Sequence, residues 1–269
     1  IETLFERLDL ADELTFEPQP SGIALTCSDS HLSCGEDNLV LKAARLLQRT
    51  SGTSRGARIH LTKRIPLAAG LGGGSSNAAA TLLGLTRLWE LSLASEQLIE
   101  LAATLGADVP FFLAPRPFAV GRGRGEVCEP VSGRHLAHVL VVPEEQLSTQ
   151  EVYTGAQFNL TAPKPSINMV LHALSNGSSR ELAEGLWNDL EPEAIRRCPV
   201  ISSIQKHLRD LGCLTTLVSG SGSAVFGLCR DPAHAHDIAA RLRTHAPQPW
   251  RIDVVHTADI SYPSLVVTP

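Results

Sequence analysis

The order of apolar and polar residues predicts strands and helices along the first half of the chain. Apolar and polar positions alternate over Leu14–Phe16 and Arg58–Lys63, which is the period of a half-buried strand. Ile23–Thr26 has the length and composition of another short strand. From Asn38 onward apolar residues recur at helical spacing, and Ala78–Trp89 is rich in Ala and Leu. This half therefore predicts a mixture of strands and amphipathic helices.

The second half predicts the same mixture after a helix over Glu96–Leu105 that Gly106 ends. His138–Val142 is a compact valine-rich run, typical of a buried strand, and Asn159–Pro165 is the best candidate linker. We therefore predict an N-terminal domain over residues 1–158 and a C-terminal domain over 159–269. Within the second domain the apolar spacing predicts helices over Ile167–Leu174, Arg180–Leu186, Ile201–Leu211 and Ala233–His245, with a strand-loop-strand unit around Gly220–Gly222.

The composition of the chain argues against nucleic acid and membranes as binding partners. The chain has 269 residues, a formal charge of -5 and a pI near 6.1, so it lacks the basic stripe that tracks a nucleic-acid backbone. No apolar run approaches the ~20 residues that cross a bilayer, and we expect no membrane association. Six cysteines occur without a C-x-x-C pair, and no basic-then-apolar leader opens the chain. These features favour a cytoplasmic protein that acts on a small molecule, and we expect it to be a monomer or weak homodimer.

The strongest chemical signal is the segment from Pro66 to Ser76, which carries four glycines within five residues. Glycines let the backbone approach a polyphosphate closely, and the N-terminus of the helix that follows favours negative charge. Ser75 and Ser76 add hydroxyl groups that can donate to phosphate or contact magnesium. The pattern is neither a Walker loop nor a dinucleotide-binding fingerprint. The alternative is a glycine-rich turn that only connects strand to helix.

Two further segments are candidates for chemistry. Asp108 lies between a glycine and an apolar run in Gly106–Phe112, where low-dielectric surroundings suit a proton acceptor. Its alternative role is to cap a helix that begins near Pro110. Val218–Phe226 alternates serine with glycine and can donate hydrogen bonds to substrate or phosphate, although an ordinary hairpin turn explains it equally well. His234 and His236 point to different sides of a helix, so a solvated face explains them better than a metal site.

These three segments together resemble the GHMP kinases, the superfamily of galactokinase, homoserine kinase, mevalonate kinase and phosphomevalonate kinase. Within it, four strings resemble the family of 4-diphosphocytidyl-2-C-methyl-D-erythritol kinases. They are the triple glycine before Ser75-Ser76-Asn77, Gly106–Phe112, Leu147-Ser148-Thr149 through Val152-Tyr153, and Asn188-Asp189-Leu190-Glu191. The resemblance implies an α+β fold in two lobes, a ribosomal-S5-like N-terminal lobe that binds ATP and a ferredoxin-like C-terminal lobe.

The resemblance also implies a reaction, in which ATP with Mg²⁺ phosphorylates the 2-hydroxyl of 4-diphosphocytidyl-2-C-methyl-D-erythritol in the methylerythritol phosphate route to isoprenoids. Asp108 matches the catalytic aspartate, and Asn38 resembles a residue near the adenine pocket. The matches to the family's phosphate-binding residues, with Ser75 also the metal contact, are Pro66, Ala69, Gly70, Leu71, Gly72, Gly73, Gly74, Ser75 and Ser76. The matches on the substrate side are Thr149, Tyr153, Gly220, Ser221 and Gly222. Tyr153 is expected to stack on cytosine, with burial in an apolar core as its alternative.

The sequence departs from the family pattern at its front. Family members usually begin with a strand carrying a Pro-Ala-Lys-Ile-Asn-Leu-like motif and then an Asp-Gly-Tyr-His segment, and neither occurs here. The N-terminal lobe is therefore expected to lack its first strand, and the lysine that partners the catalytic aspartate has no counterpart. Lys63 lies on the strand before the phosphate loop and is expected to face solvent or nucleotide. The alternatives are another GHMP kinase, such as homoserine kinase, and a nucleotide-binding protein or fragment without activity.

Overall fold

A computed structural model describes residues 2–158, 164–247 and 249–259 and divides the chain into two compact units. The described part of unit 1 is residues 2–65 and 72–131 with Asp259, and unit 2 is residues 66–71 and 132–258. The chain thus passes to its second unit at Ser132, whereas the sequence placed the division at 158/159. The predicted linker falls mostly on 159–163, outside the described residues.

Unit 1 contains two three-stranded sheets. Its strands are Glu2–Glu6 (β1), Glu13–Gln19 (β2), Ile23–Cys27 (β3), Gly56–Thr62 (β4), Phe118–Arg122 (β5) and Val127–Val131 (β6). One sheet has the order β1-β5-β6 and is antiparallel throughout. The other has the order β2-β4-β3, in which β4 pairs antiparallel with β2 and parallel with β3. Along β4, buried Ile59 and Leu61 alternate with exposed residues, because one face of this sheet packs on a core and the other faces solvent.

Three helices pack in unit 1, Leu39–Ser51 (α1), Gly73–Leu88 (α2) and Ser95–Leu105 (α3), and a short 3-10 helix follows at Pro110–Leu113. Leu47 of α1, Ile59 of β4 and Leu82 and Leu85 of α2 are fully buried in one core cluster. Trp89, just after α2, is buried in the same cluster and donates its indole N–H to the Gly56 carbonyl at 3.1 Å. This core sets α2 against the strand from which the glycine-rich segment departs.

Unit 2 is built on one antiparallel sheet. Its strands are Ala137–Val142 (β7), Thr215–Val218 (β8), Val225–Leu228 (β9) and Arg251–His256 (β10), in the order β10-β7-β9-β8. Its helices are Thr149–Gly155 (α4), Ile167–Ser175 (α5), Ser179–Gly185 (α6), Glu191–Arg197 (α7), Val200–Asp210 (α8) and Pro232–His245 (α9). A core that includes Val139, Ile204 and Ile238 joins the sheet to α8 and α9.

Most predicted elements are present with shifted ends, and the largest shift concerns α2. The sequence predicted that this helix begins at Ala78, but it begins at Gly73. Glycine disfavours helix, so a propensity argument leaves it in the loop. Packing overrides that preference here, because a Cβ on Gly73 would lie 3.1 Å from Ile65 and one on Gly74 would lie 3.3 Å from Leu39. The short helices α4 and α7 were not predicted, since a segment of two turns carries little periodicity.

In the part of the chain that the structure describes, no helix combines the length and the apolar character that a membrane span needs.

Glu193 makes the stability of unit 2 depend on pH. Its side chain is 8% exposed and accepts hydrogen bonds from Arg196 at 2.7 Å and Arg197 at 2.6 Å. The Arg196 hydrogen bond and then the Arg197 hydrogen bond lower the pKa of Glu193 from 4.5 to about 2. A lowered pKa gives a stabilisation that is complete above pH 4.5 and is lost as the pH falls toward 2. We therefore expect Glu193→Gln to lower the melting temperature by a few degrees at pH 7.

Thermal melts of wild type and Glu193→Gln across a pH series measure this effect, and the difference should shrink below pH 4.5. Asp237→Asn is the matched control, because Asp237 pairs with Arg241 at 3.3 Å while both side chains are more than half exposed. Exposed pairs contribute little to stability. A Glu193→Gln deficit that stayed constant from pH 7 down to pH 2 would contradict the assignment.

Candidate active site

The N-terminal end of α2 offers free amide groups to an anion. Its N-cap is Gly72, which has no side chain to cap the helix, and the helical ladder starts where Ser76 N donates to the Gly72 carbonyl at 2.9 Å. The amides of Gly73, Gly74 and Ser75 precede that ladder and have no partner within the helix. A helix of 16 residues also brings a partial positive charge to this end. The predicted phosphate-binding residues of unit 1 therefore form a helix N-terminus rather than a loop.

The two serines of this turn differ in their side-chain bonding. The hydroxyl of Ser76 donates to the Gly73 carbonyl at 2.9 Å, which leaves its oxygen as an acceptor. Ser75 is half-buried beside the glycine amides. Within the described ranges, no group of three His, Cys, Asp or Glu side chains forms a metal site, and this includes the region of His234 and His236. Magnesium that arrives with nucleotide phosphates needs few protein ligands, so the turn with Ser75 fits such an ion.

Asp108 follows the C-terminal end of α3 and precedes the 3-10 helix. Burial raises the pKa of its carboxyl group above the usual 3.8. It does not serve as a helix cap, because the N-cap of the 3-10 helix is Val109 and has no side-chain cap bond. The same short helix lies against the start of α2, since a Cβ on Gly72 would be 3.1 Å from the Phe112 ring. Unit 1 thus brings the Asp108 segment to the turn that the sequence predicts to bind phosphate.

Asn38 is the N-cap of α1. Its side-chain oxygen accepts from Val40 N at 2.9 Å, and its amide nitrogen donates to the Ser33 carbonyl at 2.6 Å. The residue is 8% exposed. These bonds use one lone pair of the side-chain oxygen and one proton of the side-chain nitrogen. The other lone pair and proton could contact adenine, and that contact stays a prediction.

In unit 2 the serine-glycine segment is the loop between β8 and β9, in which Val218 pairs with Val225. The hairpin alternative is therefore correct as a description of its backbone. The segment 66–71 lies against this loop, because Ser219 Oγ donates to the Gly70 carbonyl at 2.9 Å and Ala224 N donates to the Ala69 carbonyl at 3.2 Å. Segment 66–71 and the β8–β9 loop, which are distant in sequence, thus contact each other in this unit.

Two residues that the sequence did not assign a role hold the β8–β9 loop. Asn188 donates to the carbonyls of Val218 at 2.9 Å and Gly220 at 2.7 Å. Glu191 accepts from Val218 N at 2.8 Å. Both belong to the Asn188–Glu191 string that carried part of the resemblance. The sequence therefore marked these residues but did not show that they hold the loop.

The predicted substrate residues of unit 2 also meet. Thr149 Oγ1 lies 2.9 Å from Ser221 Oγ, which joins α4 to the β8–β9 loop. Tyr153 follows Thr149 by one helical turn and is therefore on the same face of α4. Its side chain is 42% exposed, so it does not belong to the core of unit 2. Pro66 and Ser223 line a nearby cavity of about 210 Å³ in this unit.

Lys63 does not face solvent, so that part of the expectation from the sequence is wrong, while contact with nucleotide stays a prediction. Its side chain is 6% exposed and forms an ion pair with Asp12, whose side chain is 1% exposed, at 3.0 Å. Asp12 was missed because it lies just before the first predicted strand, where a polar residue looks like part of an ordinary turn. The signal that could have found it is register: β2 pairs Glu13 with Thr62, so the next pair of residues is Asp12 and Lys63.

Comparison with known proteins places this geometry in a family. The family model described as GHMP kinases N terminal domain matches residues 38–115, and the one described as GHMP kinases C terminal matches residues 170–248. A 4-diphosphocytidyl-2-C-methyl-D-erythritol kinase from Pelotomaculum thermopropionicum is 40% identical over 250 residues, covering 90% of this chain and 85% of the relative. The chain belongs to the 4-diphosphocytidyl-2-C-methyl-D-erythritol kinase family of GHMP kinases.

Further relatives agree. The kinase of the same name from Salinibacter ruber is 39% identical over 93% of this chain and 88% of its own length. A crystal structure of 4-(cytidine 5'-diphospho)-2C-methyl-D-erythritol kinase shares 37% identity with a TM-score of 0.81, covering 96% of this chain and 90% of that one. A homoserine kinase from Cytophaga hutchinsonii has a TM-score of 0.72 at 18% identity over 96% of this chain and 94% of its own, which shows the common fold alone. The α+β fold of a GHMP kinase is thereby confirmed.

Proposed function

We propose that this family member transfers the γ-phosphoryl group of ATP to the 2-hydroxyl of 4-diphosphocytidyl-2-C-methyl-D-erythritol. The relatives that carry this substrate in their names cover most of the chain. The observation in the structure that supports phosphoryl transfer best is the partly buried Asp108, whose segment lies at the uncapped N-terminal turn of α2. Phosphoryl transfer needs such a pairing, because the protein supplies mainly position and charge.

Asp108 is the residue proposed to receive the proton of the attacking hydroxyl or to orient that hydroxyl. Burial makes its carboxylate a stronger base than an exposed one, because the raised pKa favours the protonated form. The amides of Gly73, Gly74 and Ser75 are proposed to donate to phosphate oxygens. Mg²⁺, held through Ser75 and the phosphates, would neutralise charge on the transferring group.

Unit 2 is proposed to bind the cytidine end of the substrate. One of the hydroxyls of Thr149 and Ser221 donates a hydrogen bond to the other, and each oxygen keeps a lone pair that can accept a hydrogen bond from a ligand. The exposed ring of Tyr153 offers a flat surface for cytosine. Gly220 and Gly222 lie in the loop that Asn188 holds. The Gly222 amide donates to the Ser219 carbonyl at 2.9 Å and shapes this loop, so the Gly220 amide is the one proposed to face a diphosphate. Pro66, Ala69, Gly70 and Leu71 are proposed to contribute to phosphate binding within this unit, where segment 66–71 contacts the β8–β9 loop.

The reaction would place the protein in the methylerythritol phosphate route to isoprenoids. All six cysteines are free thiols, and a reducing compartment such as the cytoplasm keeps them so. A monomer or weak homodimer suffices for this chemistry.

The decisive assay incubates the full chain with ATP, Mg²⁺ and 4-diphosphocytidyl-2-C-methyl-D-erythritol and follows ADP release. We expect release that depends on this substrate, with homoserine and mevalonate giving only the background rate. Release with homoserine instead would assign another GHMP activity. ATP binding without release on any of the three would leave a nucleotide-binding protein and contradict the proposal.

A further inference from the structure

One carboxylate in unit 1, that of Asp12, bonds to both chain segments that flank the phosphate-binding region. Its Oδ1 accepts from the backbone amides of Arg64 and Ile65, each at 2.7 Å. Its Oδ2 accepts from the side-chain amide of Asn77 at 2.9 Å. Ile65 is the last residue before the glycine-rich segment and Asn77 the first after it, so eleven residues separate the two bonds.

The Lys63 ammonium completes this cluster. It pairs with Asp12 Oδ2 at 3.0 Å and also donates to the Ile65 carbonyl. Both side chains are almost wholly buried. A buried ion pair contributes little net stability compared with an apolar pair of the same shape, so its presence calls for another purpose. Four donors meeting on one carboxylate define a geometry more narrowly than apolar contacts can.

We propose that Asp12 is a positioning residue for the nucleotide phosphates. Through Ile65 and Asn77 it holds the first turn of α2 in place relative to the end of β4, and the contact with Lys63 fixes the orientation of the carboxylate. The Gly73, Gly74 and Ser75 amides therefore point in one direction before ATP arrives. Misplacing such donors by about 1 Å costs on the order of 10²-fold in rate. This inference rests on the proposed function, because it takes the α2 turn as the phosphate site.

Asp12→Asn tests the proposal, since it keeps the shape but replaces one acceptor oxygen with a donor. The expected result is a rise of about tenfold or more in the KM for ATP and in the dissociation constant of a non-hydrolysable ATP analogue. The KM for 4-diphosphocytidyl-2-C-methyl-D-erythritol should stay within about threefold of wild type. A purely structural role would instead lower kcat and the melting temperature and leave the KM for ATP unchanged, and that outcome would overturn the proposal.

Glu13→Gln is the matched control. Glu13 is the next residue and pairs with Arg64, the neighbour of Lys63, at 2.8 Å, but both side chains are more than half exposed. The variant removes a charge from the adjacent position without touching the buried cluster. Its ATP affinity should equal that of wild type. An equal loss in Glu13→Gln and Asp12→Asn would show a general charge effect and overturn the positioning role.

Asn77→Ala provides a second, gentler test because it cuts one bond and leaves the ion pair intact. Alanine favours helix, so α2 should fold. We expect a rise of about threefold or more in the ATP KM with a melting temperature close to wild type. If Asp12→Asn does not fold, an unchanged ATP KM in Asn77→Ala overturns the proposal on its own. Absence of phosphoryl transfer in wild type would refute the proposed function. Binding of the non-hydrolysable ATP analogue to wild type and Asp12→Asn would still test the role of Asp12.

Discussion

Asp108→Asn should lower kcat by about 10²–10⁴-fold, the usual contribution of a positioned general base. The amide has the shape of the carboxyl group but cannot accept the hydroxyl proton. Because the α2 turn is untouched, binding of ATP should be nearly unchanged. Steady-state ADP release together with titration of an ATP analogue separates the two effects. Glu100→Gln on the exposed face of α3 is the control and should retain full activity.

The raised pKa of Asp108 gives the same variant a second signature. Burial favours the protonated form, so the ionised carboxylate destabilises the folded chain above its folded pKa, and that cost disappears below the unfolded value of 3.8. Asp108→Asn should therefore raise the melting temperature at pH 7 and lose this advantage near pH 3.8. A variant that is inactive and also less stable at neutral pH would indicate a structural role for Asp108 and contradict the assignment.

The sequence singles out candidate site residues, whereas their arrangement depends on packing that the sequence pattern does not show. Asp108 and the glycine-rich segment are recognisable because their signals are local: a few adjacent residues with unusual composition. The predicted start of α2 at Ala78 was wrong. The helix begins at Gly73, where close packing against Ile65 and Leu39 matters more than helix propensity. Local composition thus finds the residues that contact ligands more readily than the packing that orients them.

Asp12 shows the same limit of local sequence patterns for partners that are far apart along the chain. Its partners Lys63 and Asn77 lie 51 and 65 residues further along the chain. The register of β2 against β4 brings Lys63 to Asp12, and the packing of α2 on β2 brings Asn77. A similar reason hid the role of Asn188, which bonds to a loop that starts about thirty residues later. Interactions of this kind become visible only when the tertiary packing is known, whereas the mixture of helices and strands follows from periodicity.

Gly70→Ala should abolish most activity, with kcat/KM for ATP lowered by about 10²-fold. Gly70 has φ of +74°, and an added Cβ would lie 2.1 Å from the carbonyl oxygen of Ser219 and 2.9 Å from Gly222 N. These are backbone atoms, which cannot rotate away as a side chain would. The β8–β9 loop must therefore shift, and the hydrogen bond from Ser219 Oγ to the Gly70 carbonyl is expected to break.

Gly52→Ala isolates the collision from the backbone strain. Gly52 has a similar φ of +69°, but a Cβ there would meet no atom within 4 Å. Each alanine is strained by about 1–2 kcal/mol in the left-handed region, so both variants should lose that much in free energy of unfolding. Only Gly70→Ala should lose more and also lose activity. If the two variants matched in stability and both retained activity, the close approach of Gly70 to the β8–β9 loop would not matter for function. That result would also contradict the proposed contribution of segment 66–71 to phosphate binding.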